Sequence, residues 1–109
     1  MGQFARGAIV LVKFPFTDLS QTKLRPALVL AEVEYGDLLL CQLTSKTYGD
    51  RNAVTIDQPD LQSGSLPVTS YARPARLLTG SPALVTRSIA TLHEGKHDEV
   101  VVAIVNLLR

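Results

Sequence analysis

A chain of 109 residues with 46% hydrophobic and 19% charged side chains has the size and composition of one folded domain, spanning 1–109, and excludes a disordered or fibrous chain. The single cysteine, Cys41, excludes an internal disulfide and a cysteine-built structural zinc site. A net charge of only +1 excludes a uniformly basic surface, but the charges are not evenly spread: residues 1–31 carry four Lys or Arg against one Asp, residues 61–93 carry three Arg and no acid, and residues 32–60 carry six carboxylates against Lys46 and Arg51.

Gly7 to Phe14 is a short apolar, β-branched run stopped by Pro15, which predicts a first strand of about six residues. The N-terminus before it lacks the apolar core of a signal peptide, and no run nears the roughly 20 apolar residues of a membrane span, so a cytosolic protein is expected. Phe16 to Leu24 reads as a polar loop ending at Arg25-Pro26, where proline opens a second strand over Ala27–Ala31. Tyr35-Gly36-Asp37 turns the chain into Leu38–Thr44, whose nearly continuous apolar character predicts a central strand buried on both faces.

A second polar loop over 45–52 precedes a short strand at Ala53–Ile56. Residues 57–67, punctuated by Pro59, Gly64 and Pro67, read as connecting chain. Val68–Leu78 predicts a strand interrupted, or held at a sheet edge, by Pro74, and Leu84–Leu92 another. The last segment spaces Val100, Val101, Ala103, Ile104, Leu107 and Leu108 by one, three and four, predicting a helix with Asp98 and Glu99 in its first turn. Five to seven short strands and a terminal helix point to a small antiparallel barrel or half-barrel.

Three blocks carry a resemblance. They are the unit from Gly7 through Phe14-Pro15-Phe16-Thr17-Asp18-Leu19-Ser20 to Arg25-Pro26-Ala27-Leu28-Val29-Leu30, then Gln42-Leu43-Thr44-Ser45, then Ser70 to Thr79. In this order, over almost the whole chain, they resemble the PemK/MazF family of toxin endoribonucleases. The resemblance implies an SH3-like barrel with a terminal helix, a homodimer held in check by a cognate antitoxin, and cleavage of single-stranded RNA without a metal or other cofactor. It places the catalytic arginine at Arg25, the catalytic threonine at Thr44 and a supporting serine at Ser20, with Lys23, Ser45, Ser70 and Arg73 as candidate substrate contacts. The first loop departs from the family: Leu19-Ser20-Gln21-Thr22 stands where well-known members carry Gly-Ser-Glu-Gln, and the spacing from Ser20 to Arg25 is one residue shorter.

The chemistry can be checked against the residues. Metal-free RNA cleavage needs a group that neutralises the phosphate oxygens and groups that manage two protons. An arginine fork suits the first task and is a poor general base; a threonine hydroxyl can donate a hydrogen bond or orient the 2′-hydroxyl. His93 and His97 offer a rival acid–base pair, although surface or helix-start positions are the simpler expectation for them. Tyr48 and Tyr71 could stack on bases or pack in a core or dimer contact, and Cys41 reads as a small buried hydrophobe. The alternative function is a non-enzymatic toxin acting on a protein, as the similarly folded gyrase poison CcdB does, but the chain ends Val105-Asn106-Leu107-Leu108-Arg109 without the Trp-Gly-Ile terminus used there.

Overall fold

The computed structural model describes residues 4–13, 24–47 and 49–109. Seven strands form one antiparallel sheet: β1 Ala8–Lys13, β2 Leu24–Glu32, β3 Leu38–Thr44, β4 Val54–Ile56, β5 Leu61–Gly64, β6 Ser70–Gly80 and β7 Val85–Leu92. Helix α1, Glu94–Leu108, closes the chain. The strand order β4-β6-β3-β2-β1-β7-β5 puts β2 at the centre, and the sheet curls into a half-barrel whose end strands β4 and β5 do not pair with each other.

The near-continuous apolar runs arise because both faces of the central strands are covered. Alternation along a strand sends successive side chains to opposite faces. Ile9, Leu28, Cys41 and Leu43 go to one core with Ile56 and Val100, and Val10, Val12, Ala27, Val29, Leu38 and Leu40 go to a second core on the other face. Phe4, Leu84 and Val85 pack against the second core. Helix α1 covers the first through Val100, Ala103 and Ile104, and leaves Val102 and Leu108 exposed at 55% and 77%. No helix among the described residues is long and apolar enough to cross a membrane.

Two elements differ from the expectation, the stretch 57–67 and the start of α1. The stretch 57–67 contains a strand, β5, which pairs with β7 through Leu61↔Leu92, Ser63↔Thr91 and Gly64↔Ala90. Pro74 interrupts β6 as expected: the ladder to β3 jumps from Leu43↔Ala72 to Cys41↔Leu77 and β4 pairs only as far as Ala72, so Pro74 sits in an irregular stretch, beyond which the strand continues to Gly80. Helix α1 starts at Glu94, because the N–H groups of Lys96 and His97 both donate to the His93 carbonyl; Asp98 and Glu99 fall in its second turn.

Candidate active site

The second strand begins at Leu24, two residues before its proline, because Val12↔Arg25 and Leu11↔Pro26 already pair with β1. On its other side the ladder to β3 runs Leu28↔Cys41 and Ala27↔Gln42; two residues further, the same register sets Arg25 opposite Thr44. Thr44 in turn pairs with Tyr71 of β6, next to Ser70. The residues therefore meet where β2, β3 and β6 end together.

They line a cavity of about 280 Å³. Its apolar walls include Leu11, Leu43, Leu66, Pro67 and Ile89, and Arg25, Thr44, Ser45, Lys46 and Ser70 supply its polar groups. Among the described residues no carboxylate and no imidazole lines it, and Arg25 and Lys46 give that lining a positive sign. The Arg25 Nε is buried and has no hydrogen-bond partner. A buried unpaired donor is costly, and the group that would satisfy it is an anion with an acceptor oxygen. Thr44 Oγ1 accepts from the Lys46 N–H at 3.2 Å, which leaves the hydroxyl proton free to donate. Ser70, buried, donates to the Val68 carbonyl at 3.3 Å and fixes the wall that Val68 provides.

Of the expected site residues, Arg25, Thr44, Ser45 and Ser70 are thus brought together. Arg73 is not: its guanidinium Nε donates to Asp50 at 3.3 Å, away from this cavity. Ser20 and Lys23 lie outside the described residues, as do Gln21, Thr22 and Tyr48. Lys46 and the wall Leu66-Pro67-Val68 are part of the site although local pattern did not single them out. The only signal was that 61–93 is free of acid.

Neither histidine lines this cavity. Both sit at the helix start, one of the two positions expected for them: His93 is the N-cap of α1, and His97 lies in its first turn, buried rather than on the surface, near Gly7. His97 borders a separate hollow of about 210 Å³ with Arg6, Gln62, Glu94 and Asp98. Burial, and next the Arg6 charge, hold its imidazole below the ordinary value for histidine, while Asp98 and Glu94 act the other way. Cys41 is fully buried, its thiol pushed up to about 12 by burial, and its Sγ lies 3.3 Å from the Arg73 carbonyl. Among the described residues no three His, Cys, Asp or Glu side chains gather into a metal site.

A curled antiparallel sheet with a C-terminal helix, and a cavity holding an arginine whose Nε is unpaired, define a small half-barrel β-protein. The sequence profile of the PemK-like, MazF-like toxins of type II toxin–antitoxin systems matches residues 5–108, and the chain belongs to that family. Its fold is similar to that of MazF in a MazE–MazF complex from Deinococcus radiodurans, with a TM-score of 0.76, 22% identity, and 96% of this chain and 95% of that one covered. A mycobacterial endoribonuclease in complex with its cognate antitoxin is similar at a TM-score of 0.75 and 14% identity, covering 96% of this chain and 94% of that one. The Mycobacterium tuberculosis toxin MazF-mt6 is similar at 0.72 and 19%, covering 93% and 95%. No curated protein sequence matches the chain.

Proposed function

We propose that the chain is a toxin endoribonuclease that cleaves single-stranded RNA by attack of a 2′-hydroxyl on the adjacent phosphorus. The observation that carries this reading is the buried, partnerless Nε of Arg25 in a cavity that no carboxylate of the described residues lines. Arg25 clamps the scissile phosphate, spending its unused donors on the equatorial oxygens as their charge grows. Thr44 donates its free hydroxyl proton to the phosphate or to the 2′-oxygen, and Lys46 adds charge at the rim. The 2′-oxygen bonds to phosphorus, the bond to the 5′-oxygen breaks, and one proton leaves the former as another joins the latter. The products are a 2′,3′-cyclic phosphate and a 5′-hydroxyl end. Mechanistically, rate comes from positioning and charge rather than from a base of matched pKa, which suits a slow catalyst.

The antitoxin in this reading is a segment that folds over the same cavity; that an antitoxin exists is supported by relatives named as complexes with one. A second copy of the chain would cover the exposed side of α1 at Val101, Val105 and Leu108, which recur on one helical face. The test is purified protein with mixed-sequence single-stranded RNA in EDTA, with new ends sequenced and weighed. Cleavage leaving cyclic phosphates is expected, and Arg25→Ala should abolish it while the chain still folds and unfolds in one cooperative thermal transition. No cleavage by the unaltered protein, or full cleavage by Arg25→Ala, overturns the reading.

A further inference from the structure

The cavity does not end at its apolar wall. Leu11, Pro67 and Ile89 are also one side of a second, shallower recess of about 510 Å³, completed by Ser65, Arg87 and Ser88. Strand pairing places the two recesses in line. Leu11 of β1 stands between Pro26 of β2, the neighbour of Arg25, and Arg87 of β7. Two strand spacings of about 4.8 Å separate these backbones, roughly 10 Å in all.

Arg87 is exposed and makes no ion pair or hydrogen bond with the described residues. The register of β7 against β1 shifts on both sides of it, between Ile9 and Val10 and between Leu11 and Val12. Such bulges re-aim side chains and end regular pairing. Here they bracket the one position that presents a guanidinium beside two serines at the end of the groove. An exposed arginine is by default simply solvated. What sets Arg87 apart is continuity with the Arg25 cavity, the absence of any carboxylate among the described residues that line the two recesses, and an apolar ridge between the two cations.

We infer that Arg87, with the hydroxyls of Ser65 and Ser88, is a second phosphate subsite that holds a neighbouring nucleotide of bound single-stranded RNA, with its ribose or base over Leu11, Pro67 and Ile89. The inference rests on the ribonuclease reading above and deepens it. Arg87 is a binding residue and takes no part in the reacting atoms. A contact made equally to substrate and transition state raises KM when lost and leaves kcat alone.

The experiment measures binding of a short mixed-sequence 2′-O-methyl oligoribonucleotide, which cannot be cut, by fluorescence anisotropy over a series of salt concentrations. Arg87→Gln is expected to weaken binding several-fold and to flatten the slope of log K against log salt by about 0.7, the loss of one phosphate contact on a single strand. Arg87→Lys should keep most of the slope. Arg76→Gln, which removes an exposed arginine of the same acid-free segment that lines neither recess, should leave it unchanged. On cleavable RNA, Arg87→Gln should raise KM at unchanged kcat. An Arg87→Gln protein that binds with the wild-type affinity and slope overturns the subsite. So does a loss confined to a polyglutamate probe, which would assign the recess to an acidic peptide. If the unaltered protein neither binds nor cuts RNA, the ribonuclease reading itself has failed; if it cuts RNA and Arg87→Gln is indistinguishable from it, only the subsite has.

Discussion

Gly64→Ala is expected to cost about 2–4 kcal/mol, and the structure says why in two parts. Gly64 has φ +77, where an L side chain adds about 1–2 kcal/mol of strain. A Cβ there would also run into the Ile89 carbonyl oxygen and lie 2.6 Å from Ala90 Cα, both backbone atoms of the neighbouring strand that cannot swing aside. Relief requires β5 to move off β7, an overpacking cost of about 1–3 kcal/mol, and the stiffer unfolded chain returns only about 0.5 kcal/mol. For a domain of this size the sum corresponds to a fall in Tm of roughly 10–20 °C. Gly36→Ala separates the parts: its φ is +76, but nothing lies within 4 Å of the added Cβ, so only the conformational cost of about 1 kcal/mol remains. Both are read by thermal unfolding followed by circular dichroism. Equal falls in Tm for the two variants would refute the claim that β5 is pressed against β7. Because β5 leads directly into Leu66 and Pro67, Gly64→Ala should also raise KM for RNA at temperatures where the chain is still folded.

Two further outcomes follow from buried titratable groups. His97 is held below its ordinary value of 6.5, so the unfolded chain takes up a proton before the folded one does; urea stability should be level above pH 6.5 and fall as the pH drops below it, and His97→Asn should remove that part of the slope. Cys41, with its thiol at about 12, should resist iodoacetamide at pH 8 until urea unfolds the chain, and labelling of the native protein at the rate of a free thiol would contradict its burial.

Where one strand carries its own burial pattern, local sequence was enough. Leu38–Thr44 is found with the predicted ends, and the strand predicted over Leu84–Leu92 is found one residue shorter. Both present apolar side chains to covered faces, and both end at turn residues. β5 is different: of its four residues only Leu61 is buried, so no alternation marks it. Its existence depends on the backbone of β7, which lies more than twenty residues on and enters no local window. The start of α1 was misplaced for a related reason, since Gly95 and the histidines at 93 and 97 mask the helix until the His93 carbonyl is seen to accept from two N–H groups. In the site, Arg25 and Thr44 are expected through the family resemblance, since local sequence alone marks only a strand-edge arginine and a strand-end hydroxyl. Leu66, Val68 and Ile89 could not be expected, because their place there is fixed by the strand order and not by their neighbours in sequence.

The limit of local sequence is sharpest in two tripeptides that are identical. Arg25-Pro26-Ala27 and Arg73-Pro74-Ala75 both put an arginine before a proline in a β-strand. In the second, Asp50 comes within 3.3 Å, the guanidinium is engaged, and the chain has spent that charge on holding its own loop. In the first, the strand lies at the centre of the sheet and is fixed from both faces by separate cores, so Arg25 is held in place without a partner of its own. Leaving its Nε buried and unpaired costs about 1–3 kcal/mol, and a strand that could shift would relieve the cost by turning the side chain to water. The double-sided packing prevents that. The cost therefore persists until an anion enters the acid-free cavity. Under the proposed function, binding a phosphate then recovers stabilisation that Arg73, already paired with Asp50, has in smaller measure to offer. Thus the same three residues yield a structural ion pair in one strand and, under the proposed function, a phosphate clamp in another, and the difference lies in which segments the strand order brings beside them.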